Sequence, residues 1–120
     1  MTTFAHDKIR SVTARGGDAR CEQNKWQNGF FSPRDGCIYC IPCDADRVLR
    51  IVPSRSLEEE DRVEFLDIDY GKYGSQMGTF PEKQEKWEGG VLAADGAVYC
   101  VPQQSKYVLK IQPGSHRTVI

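Results

Sequence analysis

The sequence holds no apolar run approaching the roughly 20 residues that a bilayer-spanning helix needs, so nothing in it predicts a membrane-crossing helix. It has almost no net charge, with 16 Lys and Arg against 17 Asp and Glu. A chain without a basic field does not gather phosphate backbones, and general nucleic-acid binding is disfavoured. Histidine is nearly missing: His6 and His116 stand near opposite ends, and neither falls in a triad or metal-ligand spacing. Gly16-Gly17-Asp18 is not a phosphate loop, since the second Gly, the Lys and the Ser/Thr are absent. Asp67-Ile68-Asp69-Tyr70-Gly71 opens like a calcium loop, but no Glu stands at its twelfth position. With neither a nucleophile–base pair nor an acid–base pair, an enzyme is not expected, and no cofactor is expected either.

The N-terminal stretch lacks the apolar core of a secretory signal. Cysteine is present in an odd number, five, which does not suit a disulfide framework. Reduced thiols are the default for such a chain, and the expected location is an intracellular, reducing compartment, cytosol or organelle interior.

What is present is an internal repeat, the feature that has to be read before any local motif. Hydrophobic residues at 39% and charged residues at 28% are ordinary for a folded domain, and 120 residues are one domain's worth. Within that length, Lys25–Pro53 (KWQNGFFSPRDGCIYCIPCDADRVLRIVP) matches Lys86–Pro113 (KWEGGVLAADGAVYCVPQQSKYVLKIQP). The offset is 61 at Lys25/Lys86, Trp26/Trp87 and Gly29/Gly90, and 60 from Asp35/Asp95 onward, so the first copy has one extra residue before its Asp-Gly. Identities continue through Tyr39/Tyr99, Cys40/Cys100, Leu49/Leu109 and Pro53/Pro113.

Each copy predicts three short strands. The first is Gly29–Ser32, matched by 90–93, and an Asp-Gly hairpin turn follows. The second is Cys37–Ile41, matched by Ala97–Val101, ended by Pro42 or Pro102, which lack the ladder donor. The third is Val48–Val52, matched by 107–112. Alternation predicts a fourth at Arg62–Leu66, with a counterpart at 117–120, and a leading strand at 8–12. Helix signals are weak; Leu57–Arg62 predicts at most one charged helical turn. The organisation read from this is 1–24 leading strand and loop, 25–67 first unit, 68–85 linking loop, and 86–120 second unit.

Repeats of this length holding four antiparallel strands belong to propeller blades. The pattern KWxGGVLAxDGxIYxIPxxxxxVLxIxP resembles a propeller-type repeat in the style of kelch and NHL blades, of a kind associated with algal and other protist proteins. The resemblance implies an all-β fold of two four-stranded antiparallel blades and a non-catalytic module. Such blades usually come six to eight in a row, and here there are two. A pair leaves two apolar outer faces and unpaired strand edges, so protein partners are expected to cover them, in a hetero-complex or a homo-oligomer. An accessory subunit of an organellar respiratory or photosynthetic complex is the home that the resemblance suggests. The alternative is a lectin-like homo-oligomer with one sugar site per blade.

The candidate binding residues are those the two copies share: Lys25, Trp26, Tyr39, Lys86, Trp87 and Tyr99. The aromatic rings could form platforms for a sugar or a peptide, but a Trp kept in both copies is better explained by packing between sheets. Cys37-x-x-Cys40-x-x-Cys43 has the spacing of a metal or cluster run. Two of these lie an odd number of residues apart on one strand, which sends their side chains to opposite faces, so no metal site is expected.

Overall fold

The computed structural model describes residues 24–70 and 84–114, with 118–119 as backbone. Its strands are β1 (Trp26–Ser32), β2 (Cys37–Pro42), β3 (Val48–Val52), β4 (Arg62–Leu66), β5 (Trp87–Leu92), β6 (Val98–Pro102), β7 (Leu109–Ile111) and β8 (Thr118–Val119). They pair antiparallel in chain order as two sheets. The chain is all-β in this sense. Where the sequence predicts two equal four-stranded sheets, only the first has four full strands. The second has three, and its fourth place holds a two-residue pairing, Lys110 with Val119 and Ile111 with Thr118. Beyond β7 the chain passes Pro113, which has no N–H to give, and Gly114, at φ 83.

The predicted strand at 8–12 lies outside the described residues, as do Cys21, His6, His116 and most of the loop at 68–85. The stretch Leu57–Arg62 makes no helical turn. A simple turn at Leu57 and Glu58 is capped by Ser56, whose hydroxyl accepts from the N–H groups of Glu58 and Glu59 at 3.3 Å, and the chain then enters β4.

The Asp-Gly signals do make hairpins, but not two-residue primed turns. Only the glycines take positive φ, 73 at Gly36 and 86 at Gly96, while Asp35 and Asp95 do not. Each Asp instead accepts, through Oδ1, the N–H two residues on: Cys37 and Ala97, both at 3.0 Å. The first loop has four residues between Ser32 and Cys37 and the second five between Leu92 and Val98, and in each a left-handed glycine follows the Asp.

A second irregularity had no reading from the sequence. Register slips between Gln27 and Gly29, and between Trp87 and Gly90, because Asn28 and Gly89 adopt φ 64 and 71. Each slip is a β-bulge, and it turns Trp26 and Trp87 to the other face of their strands.

Residues directly opposed in an antiparallel pair share a face. In the first sheet, Phe30, Tyr39, Arg50 and Glu64 are opposed across four strands and share one face with Ile41 and Val48. The opposite face carries Ile38, Cys40, Leu49 and Phe65. In the second sheet, Gly90, Cys100 and Leu109 share one face, and Val91, Tyr99 and Lys110 the other. The Tyr39 face of the first sheet packs on the Cys100 face of the second. A single buried cluster results, joining Tyr39, Ile41 and Val48 to Trp87, Val98, Cys100 and Leu109.

Gly90 lies against its own neighbouring strand β6 and against Ile41 of the first sheet. A Cβ there would lie 2.5 Å from the Tyr99 carbonyl oxygen and 3.0 Å from Ile41 Cδ1. Gly90→Ala is therefore expected to cost about 1–3 kcal/mol, the range for overpacking a filled core. Urea denaturation checks it. Gly29→Ala is the control, because its nearest neighbour would be the Ile38 side chain at 3.2 Å, and it should shift the midpoint less.

Candidate functional site

One carbonyl-rich corner and two carboxylates, Asp44 and Asp35, hold the sheets together. At one end, Lys86 is wholly buried, its N–H donating to the Cys43 carbonyl at 2.9 Å and its Nζ to the Asp44 carbonyl at 3.4 Å. The Glu85 N–H donates to Asp44 Oδ1 at 2.8 Å. At the other end, Asp35 gathers donors from both sheets. Its Oδ2 accepts from the Tyr39 hydroxyl, from the Gly114 N–H at 3.0 Å and from Arg50 Nη2 at 3.5 Å. Arg50 also pairs with Glu64 at 2.6 Å. Burial raises the Asp35 carboxyl, but the bonds from Tyr39, Cys37 and Gly114 and the charge of Arg50 outweigh it, so its pKa lies below the usual value. Burial and the same Asp35 bond push Tyr39 up to about 12.

The six candidate residues separate by the face they occupy, not by sheet. Trp87, Lys86 and Tyr39 have no exposed surface and belong to the joint between sheets. Trp87 and Tyr39 therefore offer no open ring surface where Trp26 and Tyr99 offer part of theirs. Trp26 is half-buried, stacked 6.2 Å from the Phe65 ring, with Lys25 Nζ 6.0 Å from its own ring centre. Tyr99 is half-buried and donates to Asp95 at 2.6 Å. Both indole N–H groups are committed in the same way, Trp26 to the Arg47 carbonyl at 2.8 Å and Trp87 to the Tyr107 carbonyl at 2.7 Å.

Exposure at matched positions depends on the face. On the Tyr39 face the first sheet is closed and the second open: Ile41 is 0% exposed but Val101 54%, and Val48 is 0% exposed but Val108 48%. On the Cys40 face the order reverses. Cys100, Val98 and Ile111 are closed, while Cys40, Ile38 and Ile51 are half-buried. The sequence showed which positions match but not which member of each pair is covered.

The cysteines are dispersed. Cys37 faces the joint and Cys40 the opposite side, as strand alternation requires. Burial raises the thiols of Cys40, Cys43 and Cys100, the last two to about 11 and about 12, with the carboxylates of Asp44, Glu88 and Glu85 adding to the effect at Cys43. Thiols so raised are protonated at neutral pH and weak as nucleophiles or ligands. Among the described residues, no group of three His, Cys, Asp or Glu side chains is placed to hold a metal ion.

A cleft of about 440 Å³ lies between the two Asp-Gly turns, lined by Pro33, Arg34, Leu92, Ala94 and Asp95. Arg34 bridges it, donating to the Asp95 carbonyl at 3.4 Å. Among the described residues, no helix is long and apolar enough to cross a membrane. Compared with protein-family models, curated proteins and solved structures, the chain matches none.

Proposed function

We propose that the chain is a non-catalytic module of the propeller-repeat type, its two sheets standing as neighbouring blades, and that it serves as a protein-binding structural subunit of a larger assembly. The observation that supports this is the pair of faces at opposite ends of the stack. One presents Val91 and Val101, 61% and 54% exposed, and the other Phe31, 59% exposed, beside Ile38 and Cys40. Large apolar side chains gathered on two sheet faces are what interaction surfaces present to their partners. The joint between the two sheets supports the reading by analogy, since there an apolar sheet with a lysine and a carboxylate clasp at its rim covers the matched face.

The test is the size of the species containing this chain in its native cells. The chain is expected in a complex several times its own mass, and Val101→Glu, on an exposed position, should release it as free chain. Circular dichroism of purified Val101→Glu should match the unaltered protein. A chain that runs at single-chain mass in its own cells overturns the reading.

A further inference from the structure

We propose that the partner of each open face is a second copy of this chain, joined head to tail by the contact that already joins its two sheets. The inference rests on the blade reading above and names the occupant. Its basis is that the two open faces are the matched counterparts of the two closed ones. The open face of the second sheet, with Tyr99, Val101 and Val108, corresponds to the closed face with Tyr39, Ile41 and Val48. The open face of the first sheet, with Trp26, Ile38 and Cys40, corresponds to the closed face with Trp87, Val98 and Cys100. Applying the internal contact once more brings the first of these onto the second in the next copy.

The rim chemistry also carries over. Lys25 is the counterpart of Lys86, and Asn24 repeats the positive φ of Glu85, 56 against 52. Their acceptors in the joint are the main-chain carbonyls of Cys43 and Asp44 and the Asp44 carboxylate. The counterparts are Gln103 and Gln104, exposed, with the same main-chain carbonyls and a side-chain carbonyl in place of the carboxylate. The local backbone is the same at both places: Cys43 N–H donates to Lys25 O at 2.9 Å, and Gln103 N–H to Lys86 O at 3.0 Å. Lys25 of one copy thus meets Gln103 and Gln104 of the next.

The Asp35 clasp is not reproduced. The counterpart of Gly114 is Ser54, whose N–H already donates to Asp61 Oδ1 at 2.7 Å. The contact between copies rests on the apolar faces and the Lys25 corner.

Such a contact is heterologous, using a different face on each partner, and forms a ring when its rotation closes. The purified chain alone, weighed by native mass spectrometry and light scattering, is expected as a closed species of two to four copies. Val101→Glu blocks one face and Ile38→Glu the other. Each alone should be monomeric, and an equimolar mixture should form a 1:1 dimer through its intact faces and nothing larger. Lys25→Glu serves in place of Ile38→Glu if the latter does not fold, and Val91→Glu in place of Val101→Glu.

A monomeric unaltered chain at micromolar concentration overturns the inference. So does a single-face variant that still dimerises, because that requires like faces to pair. A monomer in isolation that nonetheless enters a large Val101-dependent complex in cells would overturn self-association and leave the proposed function standing.

Discussion

Trp87→Ala should lower the stability of the chain by about 3–5 kcal/mol, the range for emptying a large aromatic site in a packed core. Trp87 is the largest of the wholly buried side chains, and its indole N–H donates to the Tyr107 carbonyl at 2.7 Å. Truncation empties the joint and removes the shorter of that carbonyl's two hydrogen bonds, leaving the one from the Ser105 hydroxyl at 3.1 Å. Trp26→Ala removes the same residue from the matched position, where the ring is half-buried against Phe65. It should leave the unfolding midpoint of the two-sheet unit nearer the unaltered value. Urea unfolding followed by circular dichroism, in a Val101→Glu background that removes association, separates the two. Equal losses would mean that the two Trp sites are equally closed, against the facing described above. Outside that background, Trp26→Ala should weaken self-association, because its face is the one offered to the next copy.

Asp35→Ala should be the most damaging substitution of a polar residue that is not wholly buried, at roughly 3 kcal/mol, since charge-assisted hydrogen bonds are worth about 1.5–3 kcal/mol and a stranded buried hydroxyl costs a further 1–3. The carboxylate collects the Tyr39 hydroxyl, the N–H groups of Cys37 and Gly114, and Arg50. Its removal loosens the first hairpin and the contact with the end of β7 together. Asp95 makes the matched bonds to Tyr99 and Ala97 in full solvent, and Asp95→Ala should leave the midpoint close to the unaltered value. A pH series gives an independent check. The Asp35 carboxyl lies below its unfolded value of 3.8, so its ionised form is favoured by folding. That contribution is fully present above pH 3.8 and is lost as pH falls through the folded pKa. The unaltered chain should lose stability on acidification below pH 4, and Asp35→Asn should flatten that part of the curve. An unchanged acid limb would show that Asp35 carries no such linkage.

Much of the fold was legible in the residues. Val48–Val52, stopped by Pro53, and the alternating Arg62–Leu66 stand where the sequence puts them. The Asp-Gly pairs mark true hairpins because an Asp side chain and a left-handed glycine close a chain reversal with atoms only two residues apart. Their loops are not primed two-residue turns, because only the glycine takes positive φ and the Asp side chain supplies the closing bond. The bulges at Asn28 and Gly89 escaped notice, although an Asn or Gly two places after each Trp is the available signal. The second sheet's fourth strand is a two-residue pairing although its matched segment in the first sheet is a full strand, a difference that alternation does not encode.

What the sequence by itself determined is local: the strands, their breaks, and the pairing of Lys25 with Lys86, Trp26 with Trp87 and Tyr39 with Tyr99 as equivalent positions. These follow from backbone rules that act over a few residues, and equivalent segments obey them alike. Only the tertiary structure decided that Lys86, Trp87 and Tyr39 are enclosed while Lys25, Trp26 and Tyr99 face outward. Burial depends on which sheet lies against which face. Two sheets stacked in one direction treat matched residues differently, because among the described residues each has a neighbouring sheet on one side only.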